Sequence, residues 1–208
     1  MADGYPVDLA IDYPDRKLNR LTTFFRIFVG IPILIIIILL MGLSFNYNAN
    51  TNNSAWVAGA GITVLPLVLM ILFRKKYPRW WYDWNLNLAK FALRVRVYFY
   101  LMTDVYPATD EDQAVHVEMP YPDAATELNR WLPLVKWFLA IPHFIVLAFL
   151  GLAACVVLII VWFAILFTGI YPRGLFDFMV GVSRWALRVL AYSLILTTDK
   201  YPPFRLAV

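Results

Sequence analysis

The sequence predicts a mainly α-helical integral membrane protein built as two tandem copies of one unit. Three observations carry that expectation. Of 208 residues, 62% are hydrophobic and only 15% charged, where soluble domains carry roughly 25% charged residues. The apolar excess sits in two blocks, residues 27–73 and 132–170. The third observation is an internal repeat, sought before any element is assigned. Tyr13-Pro14-Asp15, Leu18-Asn19-Arg20 and Ile31-Pro32 are answered by Tyr121-Pro122-Asp123, Leu128-Asn129-Arg130 and Ile141-Pro142. Tyr77-Pro78-Arg79, Ala92-Leu93-Arg94-Val95 and Thr103-Asp104 are answered in order by Tyr171-Pro172-Arg173, Ala186-Leu187-Arg188-Val189 and Thr198-Asp199. The units are residues 1–110 and 111–208.

Each unit opens on period-two alternation: Val7, Leu9, Ile11 in the first, Val115, Val117, Met119 in the second. That period argues a short strand, and the two strands are expected to pair. Basic approach segments carrying Arg20, Arg26, Arg130 and Lys136 follow.

The first apolar block divides into arms 27–43 and 56–73 around an uncharged, Asn-rich stretch, 44–55. Each arm is close to the ~17–25 residues that cross a bilayer, so a helical hairpin over 27–73 is expected. The second block runs 34 residues from Trp137 to Ile170 without a break. As one helix it would measure about 51 Å against a ~30 Å hydrocarbon core, although a tilted single span from His143 to Thr168 would fit. A single span would also separate Arg130 and Lys136 from Arg173, Arg184, Arg188 and Lys200, against the positive-inside rule. A second hairpin over 132–170, turning near 151–154, spanning or re-entrant, satisfies both constraints. Both termini and residues 74–131 are then expected on the cytoplasmic side, with only 44–55 reaching the other.

After each hairpin comes a Tyr-Pro-Arg turn and a long amphipathic helix, 80–102 and 174–196. Asp83, Asn87, Lys90 and Arg94 form one stripe at helical spacing, and Asp177, Gly181, Arg184 and Arg188 repeat it. Aromatic residues occupy the opposite face. Such helices are expected to lie at the membrane surface, with Trp81, Trp84 and Trp185 as anchors.

Catalytic signatures are absent. There is no GxGxxG, P-loop, HExxH, CxxC or GxSxG string, no metal site or cofactor is expected, and Cys155 is the single cysteine. A net charge of +4 is too small for a nucleic-acid partner. His143, following Pro142 at the mouth of an apolar run, is a candidate ligand for a partner's pigment or haem, weighed against a neutral imidazole. Seven of the thirteen prolines follow a tyrosine, read as punctuation at the membrane surface. Asp104 and Asp199 read as capping or turn residues. The basic residues Arg79, Lys90, Arg94, Arg173, Arg184 and Arg188 are left as the candidate surface for lipid headgroups or a protein partner.

The strings Trp162-Phe163-Ala164-Ile165-Leu166-Phe167-Thr168-Gly169-Ile170-Tyr171-Pro172-Arg173-Gly174-Leu175-Phe176-Asp177-Phe178 and Thr197-Thr198-Asp199-Lys200-Tyr201-Pro202-Pro203-Phe204 resemble the signature of a bacterial membrane-protein family of unknown function. That family often occurs as tandem copies. The resemblance is weaker in the first half, where Arg79-Trp80-Trp81-Tyr82-Asp83 replaces Arg173-Gly174-Leu175-Phe176-Asp177. It implies a bacterial inner membrane and adds no catalytic residue. The function expected is a non-enzymatic accessory or scaffold subunit, with a protein partner or a second copy in the membrane; the alternative is a lipid-binding protein or small transporter.

Overall fold

The computed structural model describes residues 5–40, 59–109, 111 and 113–207. Its elements are β1 (Asp8–Ile11), α1 (Arg20–Val29), α2 (Ile31–Leu40), α3 (Gly59–Arg74), α4 (Arg79–Phe99), β2 (Val115–Glu118), α5 (Leu132–Thr168) and α6 (Arg173–Leu190). A π-helical turn, Ala191–Ile195, continues α6.

The expected strands do pair. β1 and β2 run antiparallel with Leu9 opposite Val117 and Ala10 opposite His116. One register face buries Leu9 and Val115, while His116 and Asp12 stay exposed and meet at 3.0 Å.

Helix α1 starts where Asn19 accepts the amide of Leu21 at 2.9 Å, an N-cap. It ends at Gly30, and α2 departs at 43°, because Pro32 lacks an N–H and its ring crowds the preceding turn. The expected tip at 44–55 lies outside the described residues.

The second hairpin is a correction. Residues 132–168 form one uninterrupted helix, α5. Gly151 is flanked by Leu152, Ala153 and Ala154, all strong helix formers, and no residue there supplies a left-handed turn. The glycine that ends the helix is Gly169, at φ 74°, whose amide donates to Ile165 O at 2.8 Å. Pro142 is tolerated inside α5.

The elements pack as follows. The sheet lies over α6 through β1 and over α4 through β2; α6 rests on α5, α4 on α2, and α1 and α3 flank α5. The main apolar core joins Leu9 and Val115 to Leu67, Val97, Met179, Val161 and Ile165, with smaller clusters around Ile33 and around Ala140.

The two halves grip each other reciprocally. Tyr13 donates to Tyr171 O, stands edge-on to Phe176 at 5.0 Å and lies under the Arg173 guanidinium at 4.5 Å. Tyr121 donates to Tyr77 O, stands edge-on to Tyr82 at 5.1 Å and lies under Arg79 at 5.6 Å. The hydroxyl of Tyr77 donates to Ile195 O at 2.9 Å, and that of Tyr171 to Tyr100 O at 3.4 Å.

The surface placement expected for 174–196 is also corrected. Of the apolar window in Arg173–Ile195, 72% is buried within the protein, against 11% for α5. The reason is that α5 and β1 both pack on α6 and the C-terminal segment closes over Gly181 and Arg184.

Candidate functional site

Two of the buried cations, Arg26 and Lys136, sit at equivalent places in the two halves, and neither belongs to the basic surface expected from the sequence. Arg26 on α1 donates to Tyr98 O at 2.8 Å and Thr103 O at 2.6 Å, pairs with Asp104, and lies 4.5 Å from the Tyr98 ring centre. Lys136 on α5 pairs with Asp199 at 2.7 Å, donates to Thr198 O at 2.7 Å and lies 5.0 Å from the Tyr192 ring centre. Leu101 and Leu196, both at positive φ, turn the chain after α4 and after the π-helical turn. These turns bring Thr103-Asp104 and Thr198-Asp199 back onto the cations. Each carboxylate also takes a backbone amide, from Asn19 at 2.7 Å and from Asn129 at 2.6 Å. Asp104 and Asp199 therefore do serve as turn and capping acceptors, with a counter-charge added. Carboxylates held in this way tie the turns after the long helices to the starts of α1 and α5.

The arginines expected to face lipid or a partner are largely consumed inside. Arg184 meets Asp8 at 3.0 Å and donates to Leu9 O and Leu206 O. Arg188, only 2% exposed, lies 3.8 Å from Asp8, donates to Ala207 O and sits 5.8 Å from the Tyr5 ring centre. Arg94, 5% exposed, donates to Ala108 O and Thr109 O. Strand β1 and the C-terminal segment supply partners for Arg184 and Arg188, and the loop after α4 for Arg94. Arg79 and Arg173 remain exposed, the latter 3.7 Å from Asp177, and Lys90 is half-buried. Of the expected anchors, Trp84 is exposed, Trp81 half-buried and Trp185 buried.

Trp185 is buried because it serves His143. Its indole N–H donates to His143 Nδ1 at 3.1 Å. Phe204 stacks on the imidazole at 4.0 Å between ring centres, and Tyr201 closes the side at 4.8 Å. With Nδ1 an acceptor, the proton sits on Nε2, which is buried without a hydrogen-bond partner. That is the neutral imidazole weighed against the ligand reading, held by Trp185 and packed under Phe204 and Tyr201. Among the described residues no group of three His, Cys, Asp or Glu side chains is placed to hold a metal ion.

The signal for Lys136 and Arg26 was present in the sequence, as single cations inside apolar segments; such residues face a partner charge rather than lipid. Asp8 and Tyr5 were not discoverable this way, since their partners lie about 180 positions along the chain.

Fold and site together define a helical protein with an outward apolar face, its buried ion pairs spent on structure. Residues 131–205 match the model of a family described as a domain of unknown function (DUF4389), a stretch that holds Lys136, His143, Trp185, Arg188 and Asp199. No curated protein and no solved structure matches the chain.

Proposed function

We propose that the protein is a non-enzymatic scaffold or accessory subunit embedded in a bacterial cytoplasmic membrane, made of two copies of one unit with both termini on the cytoplasmic side. The observation that carries this reading is α5. Its outward face presents Phe138, Ile145, Phe149, Leu152, Val156, Ile159, Phe163 and Phe167 to the surroundings, whereas its charged and polar residues, Lys136 and His143, point inward. Water would reverse that arrangement; hydrocarbon selects it. Two helices, Leu132–Thr168 and Arg173–Ile195, are long and apolar enough to cross a membrane. The recurrence of equivalent contacts in the two halves, Arg26 with Asp104 and Lys136 with Asp199, supports the two-copy reading. The exposed Arg79 and Arg173 keep the docking role from which Arg94, Arg184 and Arg188 are withdrawn.

A lipid-binding protein is the second reading, and two grooves favour it. One, about 410 Å³, lies between α1 and α5 and is lined by Phe24, Ile27, Leu158, Ile159 and Trp162. The other, about 1020 Å³, lies between α3 and α5 at the matching positions Leu134, Trp137, Val64, Leu65 and Val68. Both are almost wholly apolar, as an acyl chain requires. Native mass spectrometry after mild solubilisation decides. A protein partner at fixed stoichiometry supports the subunit; retained phospholipid without a partner replaces it with the lipid binder.

A further inference from the structure

We infer that α5 lies along one leaflet of a phospholipid bilayer instead of crossing it, its outward face among acyl chains and the basic residues at both its ends on headgroups of that same leaflet. The inference rests on the membrane reading above and fixes its geometry.

Length is the first argument. Thirty-seven residues make about 55 Å of helix, nearly twice a ~30 Å hydrocarbon core. The second is how the two ends are tied. At the C-terminal end, Leu18 donates to Gly169 O at 2.9 Å, Arg20 to Phe167 O at 3.0 Å and Tyr13 to Tyr171 O. Just before the N-terminal end, Asn129 donates to Asp199 at 2.6 Å and Tyr121 to Tyr77 O. Tyr13 and Tyr121 lie two and three residues beyond the paired strands, which run antiparallel. Tyr13 thus ties the ribbon just past the C-terminal end of α5, and β2 runs on through Tyr121 into the segment that enters its N-terminal end; the ribbon carries the exposed Asp12, His116 and Glu118. A helix crossing the bilayer would drag this charged ribbon through hydrocarbon, where charged side chains are rare and costly.

Packing order gives the third argument. The sheet packs on α6 and α4 while α5 packs on α6, so the exposed charges of the ribbon lie apart from the apolar outward face of α5, as an interfacial protein requires. The charge around the ends completes the case. Arg16, Lys17, Arg20, Arg74, Lys75, Lys76 and Arg130 are exposed near them, against exposed Asp15, Asp123 and Glu127. The surplus of cations suits phosphate. This placement also keeps Arg130 on the same side as Arg173 and Lys200 with no hairpin in the second half.

The test uses the full chain with Cys155→Ala, reconstituted in sealed phosphatidylethanolamine and phosphatidylglycerol vesicles. Single spin labels go on Phe138→Cys, Leu152→Cys and Phe167→Cys, all on the outward face and 71%, 67% and 76% exposed. Collision with oxygen against a water-soluble nickel chelate reports depth whatever the vesicle orientation. An in-plane helix gives the same ratio at all three sites. A crossing helix puts Leu152 near the midplane and the others about 21–22 Å away along its axis, outside the ~15 Å half-core; a maximum at 152 with both flanking sites in water overturns the inference. A second measurement labels Lys17→Cys and Arg130→Cys with an impermeant maleimide in intact spheroplasts and inverted vesicles. Labelling of both from one side is expected, and labelling from opposite sides overturns it. Failure of the chain to float with vesicles would instead bring down the membrane reading itself.

Discussion

Replacing Asp199 with Asn removes the carboxylate 2.7 Å from Lys136 Nζ while keeping an oxygen for the Asn129 amide. Lys136 has no exposed surface, and what remains around its ammonium is Thr198 O and the Tyr192 ring. Leaving a buried charge without its partner costs about 3–5 kcal/mol. Asp199 is 20% exposed and the carbonyl stays, which sets the expectation at about 3 kcal/mol, the lower end of that range. For a chain of this size that corresponds to a melting temperature lower by about 6–12 °C. The companion variant, Lys136→Met with Asp199→Asn, removes both charges and is expected to recover most of the loss, since replacing a buried pair by apolar groups is often neutral. Melting in one detergent, followed by near-UV circular dichroism, reads both. If Asp199→Asn melts with the parent, or if the double variant is as unstable as the sum of the single ones, the ion pair does not organise this end of α5 and the reasoning fails.

Trp185→Phe strips His143 Nδ1 of its donor and is expected to cost about 1–3 kcal/mol; adding His143→Ile, the residue at matching position 33, should recover part of the loss in the same melting assay. Gly181→Ala sets a Cβ 2.8 Å from Leu206 Cβ and 3.2 Å from its carbonyl oxygen. That overpacking should cost about 1–3 kcal/mol and speed proteolysis of the C-terminal segment, with Leu206→Gly relieving it. Burial pushes the phenols of Tyr5, Tyr77 and Tyr171 well above their ordinary 10.0. A raised acid favours the folded state below the unfolded value, so stability should hold up to pH 10 and fall beyond it as the unfolded chain ionises first. Tyr77→Phe should flatten that alkaline slope in denaturant titrations.

The strand pair, the Tyr-Pro turns and the long helices after them were legible because each rests on a local pattern. Period-two alternation survives any tertiary context that buries one face, and proline fixes a turn wherever it falls. The fate of residues 132–168 was not legible. A continuous apolar run says nothing of whether the chain folds back, and the deciding facts, Lys136 gripping Asp199 and Gly169 meeting Leu18, join residues 63 and 151 positions apart. Length alone left a hairpin and one tilted span both open, and the chain builds one continuous helix.

The candidate site failed to be legible for a different reason. Periodicity finds the polar stripe of a helix and leaves open which way the stripe points. On α4, Asp83 and Asn87 are exposed, Lys90 half-buried and Arg94 buried; on α6, Asp177 is exposed, Arg184 half-buried and Arg188 buried. Each stripe starts in solvent and dives inward along its helix. The C-terminal half meets Asp8 and carbonyl oxygens on α6, and the loop carbonyls Ala108 O and Thr109 O on α4. In water such a stripe faces out and its aromatic partner face makes the core. Where the surroundings are hydrocarbon the preference inverts, and cations go inside only if carboxylates and carbonyls wait there. Arg94 and Arg188 are buried because the loop after α4, strand β1 and the C-terminal segment cover them with carbonyl oxygens and a carboxylate, placements that no stretch of helix periodicity encodes.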